Sequence, residues 1–168
     1  VLLSAALHSL AGRALGDTPE ADAEIRRAVA ESRRMAKELQ QLGEPHVRLC
    51  EVLRHAVAAR VRVPQPALAA ETTQWLAEGL GECDAALAYD PMMATAHANR
   101  GALLLAKAQR ERDAEARQSA AAAAREALTR ALAINKWRRR EWEPLLYAAQ
   151  ALATADRAES PAVLPAPR

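Results

Sequence analysis

Apolar residues along this chain fall in long periodic stretches bounded by Gly, Pro and polar clusters, and seven of these stretches read as helices. The first spans about 2–15 and ends at Gly16. The second spans about 19–42. Thr18 can cap it, Pro19 suits a first helical position because its missing N–H goes unused there, and Gly43 closes it. The third, about 45–62, opens at Pro45 and stops at Val63-Pro64-Gln65-Pro66. The fourth, about 67–89, contains Gly79 and Gly81. The fifth starts at Asp90-Pro91, a cap followed by a helix-starting proline; the sixth ends near Asn135; the seventh covers about 140–157. Residues 92–135 contain no Pro and only Gly101. A turn is expected within Arg112–Gln118, where a polar run separates two apolar-periodic stretches and Ser119 can cap the second of them. Residues 1–157 are therefore read as a single helical domain and 158–168 as a Pro-rich tail.

Composition supports an all-α fold. Ala supplies about a quarter of the 168 residues, aromatic residues 3%, and there is no Phe. Few β-branched and aromatic residues argue against a β fold, and Ala, Leu, Arg and Glu favour helix. Small side chains let helix axes approach to about 8 Å, which suits closely stacked helix pairs better than a large aromatic-lined cavity. No run reaches the roughly eighteen apolar residues of a membrane span. The two cysteines, Cys50 and Cys83, are too few for a disulfide scaffold. They are expected to be unpaired, in keeping with a reducing compartment and a cytoplasmic location. The chain starts at Val1 without Met and is expected to be a piece of a longer polypeptide.

An internal repeat adds a motif. Ala86-Leu87-Ala88-Tyr89-Asp90 returns 45 residues later as Ala131-Leu132-Ala133-Ile134-Asn135. The fifth stretch offers His97-x₂-Arg100-Gly101-x₂-Leu104, the sixth Ala124-x₃-Leu128, the fourth Gly79-x₃-Cys83, and the seventh Trp142-x₂-Leu145. This pattern, clearest over residues 67–155, resembles the tetratricopeptide repeat, with the second and third stretches as a degenerate earlier pair. From Gly101 to Ala124 is 23 residues, where that family has about a dozen. The resemblance implies a right-handed solenoid of antiparallel helix pairs. The Ala131–Asn135 segment, followed by Arg138-Arg139-Arg140-Glu141-Trp142-Glu143-Pro144-Leu145-Leu146, is similar to the C-terminal helical-repeat regions of bacterial Ser/Thr protein kinases of the eukaryotic type. No Gly-rich loop, His-Arg-Asp or Asp-Phe-Gly is present, so a kinase domain is expected upstream of Val1. The resemblance implies a non-catalytic docking or regulatory module with a protein or peptide partner. It also implies a groove lined by Thr95, Ala98, Asn99, Ala102 and Leu105, with Asn99 placed to hold a ligand backbone and Arg140 to meet a carboxylate. Pro144 stands where a second cation would complete that carboxylate grip.

The remaining candidate chemistry is sparse. His46 and Cys50 share a helical face, but His55 lies off it, and no metal or cofactor is expected. Cys83 reads as a small packing residue rather than a nucleophile. Lys136, Trp137, Arg138, Arg139, Arg140 and Trp142 interleave cations with aromatics. They form either a solvated capping segment or a surface for single-stranded nucleic acid, the alternative function. A homodimerisation role through an Ala/Leu face is the other alternative. Net charge is only +2, yet residues 63–90 hold five acidic and no basic side chains, while 125–140 hold six basic and one acidic. The two segments are expected to pair within the fold or to form opposite-signed ends, with plain solvated faces the commonest explanation of such runs.

Overall fold

The computed structural model describes residues 18–62 and 66–159. Among them there are six α-helices and no strands: α1 (Pro19–Glu38), α2 (Gly43–Arg62), α3 (Ala69–Tyr89), α4 (Ala94–Arg110), α5 (Ala114–Ile134) and α6 (Arg139–Glu159). Short 3-10 turns at Pro66–Leu68 and Lys136–Arg138 precede α3 and α6. The expected helix at 2–15 and most of the Pro-rich tail lie outside the described residues.

Local chemistry explains most of the boundaries. Thr18 caps α1 as expected, its hydroxyl accepting the Ala21 N–H at 3.2 Å. Gly43 does not close α1. The helix ends at Glu38, and Gly43 opens α2 because its bare Cα lies against Tyr89, where a Cβ would meet the Tyr89 Cβ at 2.9 Å. Asp90-Pro91 forms a turn ahead of α4 rather than its first residues, since the Asp90 carboxylate and carbonyl accept the N–H groups of Met92 and Met93. The long Pro-free stretch breaks at Glu111–Asp113, and Asp113 rather than Ser119 caps α5, accepting the Ala116 N–H at 2.8 Å. Ser119 lies inside the helix.

Consecutive helices run antiparallel. His46 meets Glu82 and Arg60 meets Glu71 across α2 and α3; Arg100 meets Asp84 across α3 and α4; Gln118 meets the Ala153 carbonyl across α5 and α6. Arg26–Glu71 and Arg33–Glu78 join α1 and α3, so those two are parallel. The most extensive packing joins α4 with α5 and α2 with α3. The helix at 43–62 thus pairs with the one after it, not with the one before it, and α4 is covered by α2, α3, α5 and α6.

Both pair crossings are close. Gly101 lets α4 descend on α5, since a Cβ there would meet Leu128 Cγ at 2.6 Å and the Ala124 carbonyl at 3.1 Å. On α2 and α3, Cys50 and Cys83 are joined by a disulfide with Cα atoms 5.3 Å apart, inside the ordinary span for that bond. Both are fully buried. This corrects the expectation of unpaired thiols: antiparallel packing of α2 on α3 brings together residues 33 apart in sequence.

The 45-residue repeat extends well beyond five residues. The bounds of α3, 69–89, and α5, 114–134, are in the same register, as are the starts of α4 and α6 at 94 and 139. The buried positions Trp75, Leu76, Gly79, Cys83 and Ala86 of α3 correspond to Ala120, Ala121, Ala124, Leu128 and Ala131 of α5. The two helix ends close alike. Asp90 N–H bonds the Ala86 carbonyl and Asn135 N–H the Ala131 carbonyl. The two side chains then take the N–H groups of Met92 and Trp137.

Candidate functional site

The 135–142 segment is built by its helix ends. Asn135 terminates α5, and its side chain accepts the Trp137 N–H at 3.1 Å, fixing a 3-10 turn that holds Trp137 86% exposed. Lys136 lies over the Trp137 ring at 5.4 Å. Trp142, one turn into α6, is 3% exposed and packs with Leu104, Leu105 and Leu128. Arg138 pairs with Glu141 at 2.7 Å and Arg139 with Glu143 at 3.4 Å, while Arg140 is exposed with no carboxylate in reach among the described residues. Of the segment's two tryptophans, then, only Trp137 has a face free for stacking. Two of its arginines already have internal partners.

The groove candidates separate in the same way. Thr95 is exposed and Ala102 half-buried, but Ala98, Asn99 and Leu105 are at most 4% exposed. Ala98 and Leu105 belong to the apolar cluster shared with α5 and α6. The Asn99 amide nitrogen is buried without a hydrogen-bond partner. Thr95, Ala102 and Arg140 therefore remain on the surface. Residue spacing missed Tyr147, 61% exposed on α6 one helical stripe along from Arg140 and Pro144; the i, i+4, i+7 pattern of those three was the available signal.

The acidic stretch 63–90 does not pair with the basic stretch 125–140. Glu71 takes Arg26 and Arg60, Glu78 takes Arg33, Glu82 takes His46, and Asp84 takes Arg100. These carboxylates are neutralised from α1, α2 and α4, so they form no acidic end. The cations Arg125, Arg130, Lys136 and Arg140 have no carboxylate within ion-pair distance among the described residues. Arg130 instead donates to the Met92 sulfur at 3.3 Å.

Two part-buried networks were not foreseen. The Arg60 side chain, 7% exposed, reaches Asp22 at 2.6 Å and Glu71 at 2.7 Å and lies 3.8 Å over the Trp75 ring, joining α1, α2 and α3. Burial pushes the Asp22 carboxyl up, but hydrogen bonds and charge from Arg60 and Arg26 more than offset this and hold it below the usual carboxylate range. His46 has an acceptor at each ring nitrogen, the Glu82 carboxylate at 2.6 Å and the Gln40 carbonyl at 3.1 Å. Two acceptors call for two N–H groups, the imidazolium form. Burial opposes that form, yet the Glu82 and Gln40 hydrogen bonds outweigh it and raise the His46 pKa. His46 and Cys50 thus have partners of their own, and among the described residues no three His, Cys, Asp or Glu side chains are grouped to hold a metal ion.

The chain matches no family model, no curated protein and no solved structure. Among the described residues no helix is long and apolar enough to cross a membrane.

Proposed function

We propose that this chain is a non-catalytic protein-interaction scaffold, a right-handed stack of helix pairs resembling tetratricopeptide repeats. The observation that carries this reading is the recurrence of α3 in α5, with equal bounds, matching buried positions and the same terminal hydrogen bonds. A unit that cannot bury its apolar face alone becomes stable by stacking on a copy of itself, and such stacks offer extended surfaces to other proteins. The segment from Asn135 to Leu146 further supports a place in a bacterial Ser/Thr protein kinase, where the chain serves as the docking or regulatory region and the catalytic domain precedes Val1. A cytoplasmic location follows from the kinase reading alone, because cysteines bonded to each other give no ground for a reducing compartment.

Peptide sequencing of the native polypeptide tests the kinase association. A Gly-rich loop, His-Arg-Asp and Asp-Phe-Gly upstream are the expected result; a different upstream domain overturns it. The scaffold itself is tested by hydrogen exchange of that polypeptide with its phospho-acceptor protein. Protection on α2, α4 or α6 is expected, and unchanged exchange on all six helices overturns the scaffold reading.

A further inference from the structure

The antiparallel order places three turns at one end of the stack: residues 39–42, 90–93 and 135–138. Two contacts tie these turns together as neighbours. The Tyr89 hydroxyl, at the end of α3, donates to the Gln40 carbonyl at 2.6 Å, and Arg130, in the C-terminal half of α5, reaches Met92 at 3.3 Å. The large hydrophobic side chains exposed among the described residues are Leu39, Leu42, Tyr89, Met92, Trp137 and Tyr147. All but Tyr147 stand at this one end. The opposite end, with its turn at 111–113, carries none of them.

The apolar side chains on this end have cations beside them. Lys37, Arg130 and Lys136 lie in or next to the three turns, and none has a carboxylate within ion-pair distance among the described residues. Three nearby acids face cations of their own, Glu38 with Arg34, Glu44 with Arg48 and Glu141 with Arg138, while the Asp90 carboxylate accepts the Met92 N–H and keeps its charge.

We propose that this end of the stack docks on an anionic lipid surface. The apolar side chains project from turns at helix ends, so they suit a soft layer that admits separate tips better than a rigid partner with matched pockets. Tryptophan and tyrosine favour the headgroup level of a bilayer, and unpaired lysine and arginine beside them are attracted to anionic headgroups. Lys37, Arg130 and Lys136 thus put positive charge beside the apolar tips of this face. Contact of this kind is peripheral and requires no spanning helix. The proposal is independent of the scaffold reading: a stack that binds proteins elsewhere can still dock by this end.

The test is flotation of the full chain with phosphatidylcholine vesicles, with and without phosphatidylglycerol, while tryptophan emission is followed. Trp75 and Trp142 are buried, so a blue shift on binding reports Trp137. The expected result is binding only to the phosphatidylglycerol vesicles, weakened by salt and by about tenfold in Trp137→Ala and in Lys136→Glu/Arg130→Glu. Tyr147→Ala, off this end, should bind as the parent does, and circular dichroism confirms that each variant is folded. Free inorganic phosphate should leave the emission unchanged; a matching shift with phosphate alone would reduce the site to an anion site and overturn the proposal. No flotation at low salt overturns it, as does binding that ignores Trp137→Ala. Concentration-dependent self-association abolished by Trp137→Ala, without vesicle binding, would instead assign the face to a second copy of the chain.

Discussion

Gly101 and Gly81 are both mid-helix glycines, and their surroundings predict opposite outcomes. A Cβ at Gly101 meets Leu128 and the Ala124 carbonyl, and a backbone oxygen cannot swing aside. Gly101→Ala should therefore destabilise the protein by about 1–2 kcal/mol despite the better helix propensity of alanine. Gly81 has nothing within 4 Å of that position, so Gly81→Ala should stabilise by about 0.5–1 kcal/mol. Urea denaturation of the two variants beside the parent checks both signs. His46 supplies a pH prediction. Its pKa is raised above 6.5 by Glu82 and the Gln40 carbonyl. The stability it contributes is therefore fully present below 6.5 and is lost as pH rises through the raised native value. Melting temperature followed from about pH 5 to about pH 9 should fall across that window, and Glu82→Gln should flatten the fall. Gly101 was legible in the sequence as a small residue at a helix crossing. His46 was not, because its partners lie 36 and 6 residues away and only packing brings them into reach.

At the scale of the helices, the all-α class and five interior boundaries were readable to within a few residues from caps, prolines and glycines. The pairing of helices was not. Val63-Pro64-Gln65-Pro66 reads as a strong break, yet α2 packs chiefly across it onto α3. Cys50 with Cys83 and Arg60 with Glu71 join that pair alongside its shared apolar core, and residue types alone do not announce partners at such separations. The charge segments misled for the same reason: the acids along α3 look like a face, but four of them each meet a cation from a different turn of its neighbours. At the corresponding crossing of α4 on α5 there is only van der Waals contact between Gly101 and Leu128. Reducing the disulfide, whose cysteines are 33 residues apart, should lower stability by about 3–4 kcal/mol on a loop-closure basis. Thermal melts with and without dithiothreitol, repeated on Cys50→Ala/Cys83→Ala, should show the reduced parent and the double variant melting together below the oxidised parent.

For the whole molecule, the position of α4 sets the order of opening. It is the helix covered by four others, whereas α1 packs chiefly on α2 and is tied to α3 by ion pairs. Amide exchange followed by mass spectrometry should find α4 slowest and α1 fastest. If α1 exchanges as slowly as α4, its ion pairs contribute more than half-exposed pairs ordinarily do. The disulfide has one more consequence, for a chain under tension. An unfolding motor that draws the polypeptide by its N-terminus through a narrow pore takes a single strand as far as Cys50. From there it must admit three strands abreast, the two arms of the closed loop and the chain beyond Cys83, because the 33-residue span to Cys83 stays closed. That loop withholds roughly 110 Å of contour length, and the extension recovered in a pulling experiment should grow by that amount only when a thiol reductant is added.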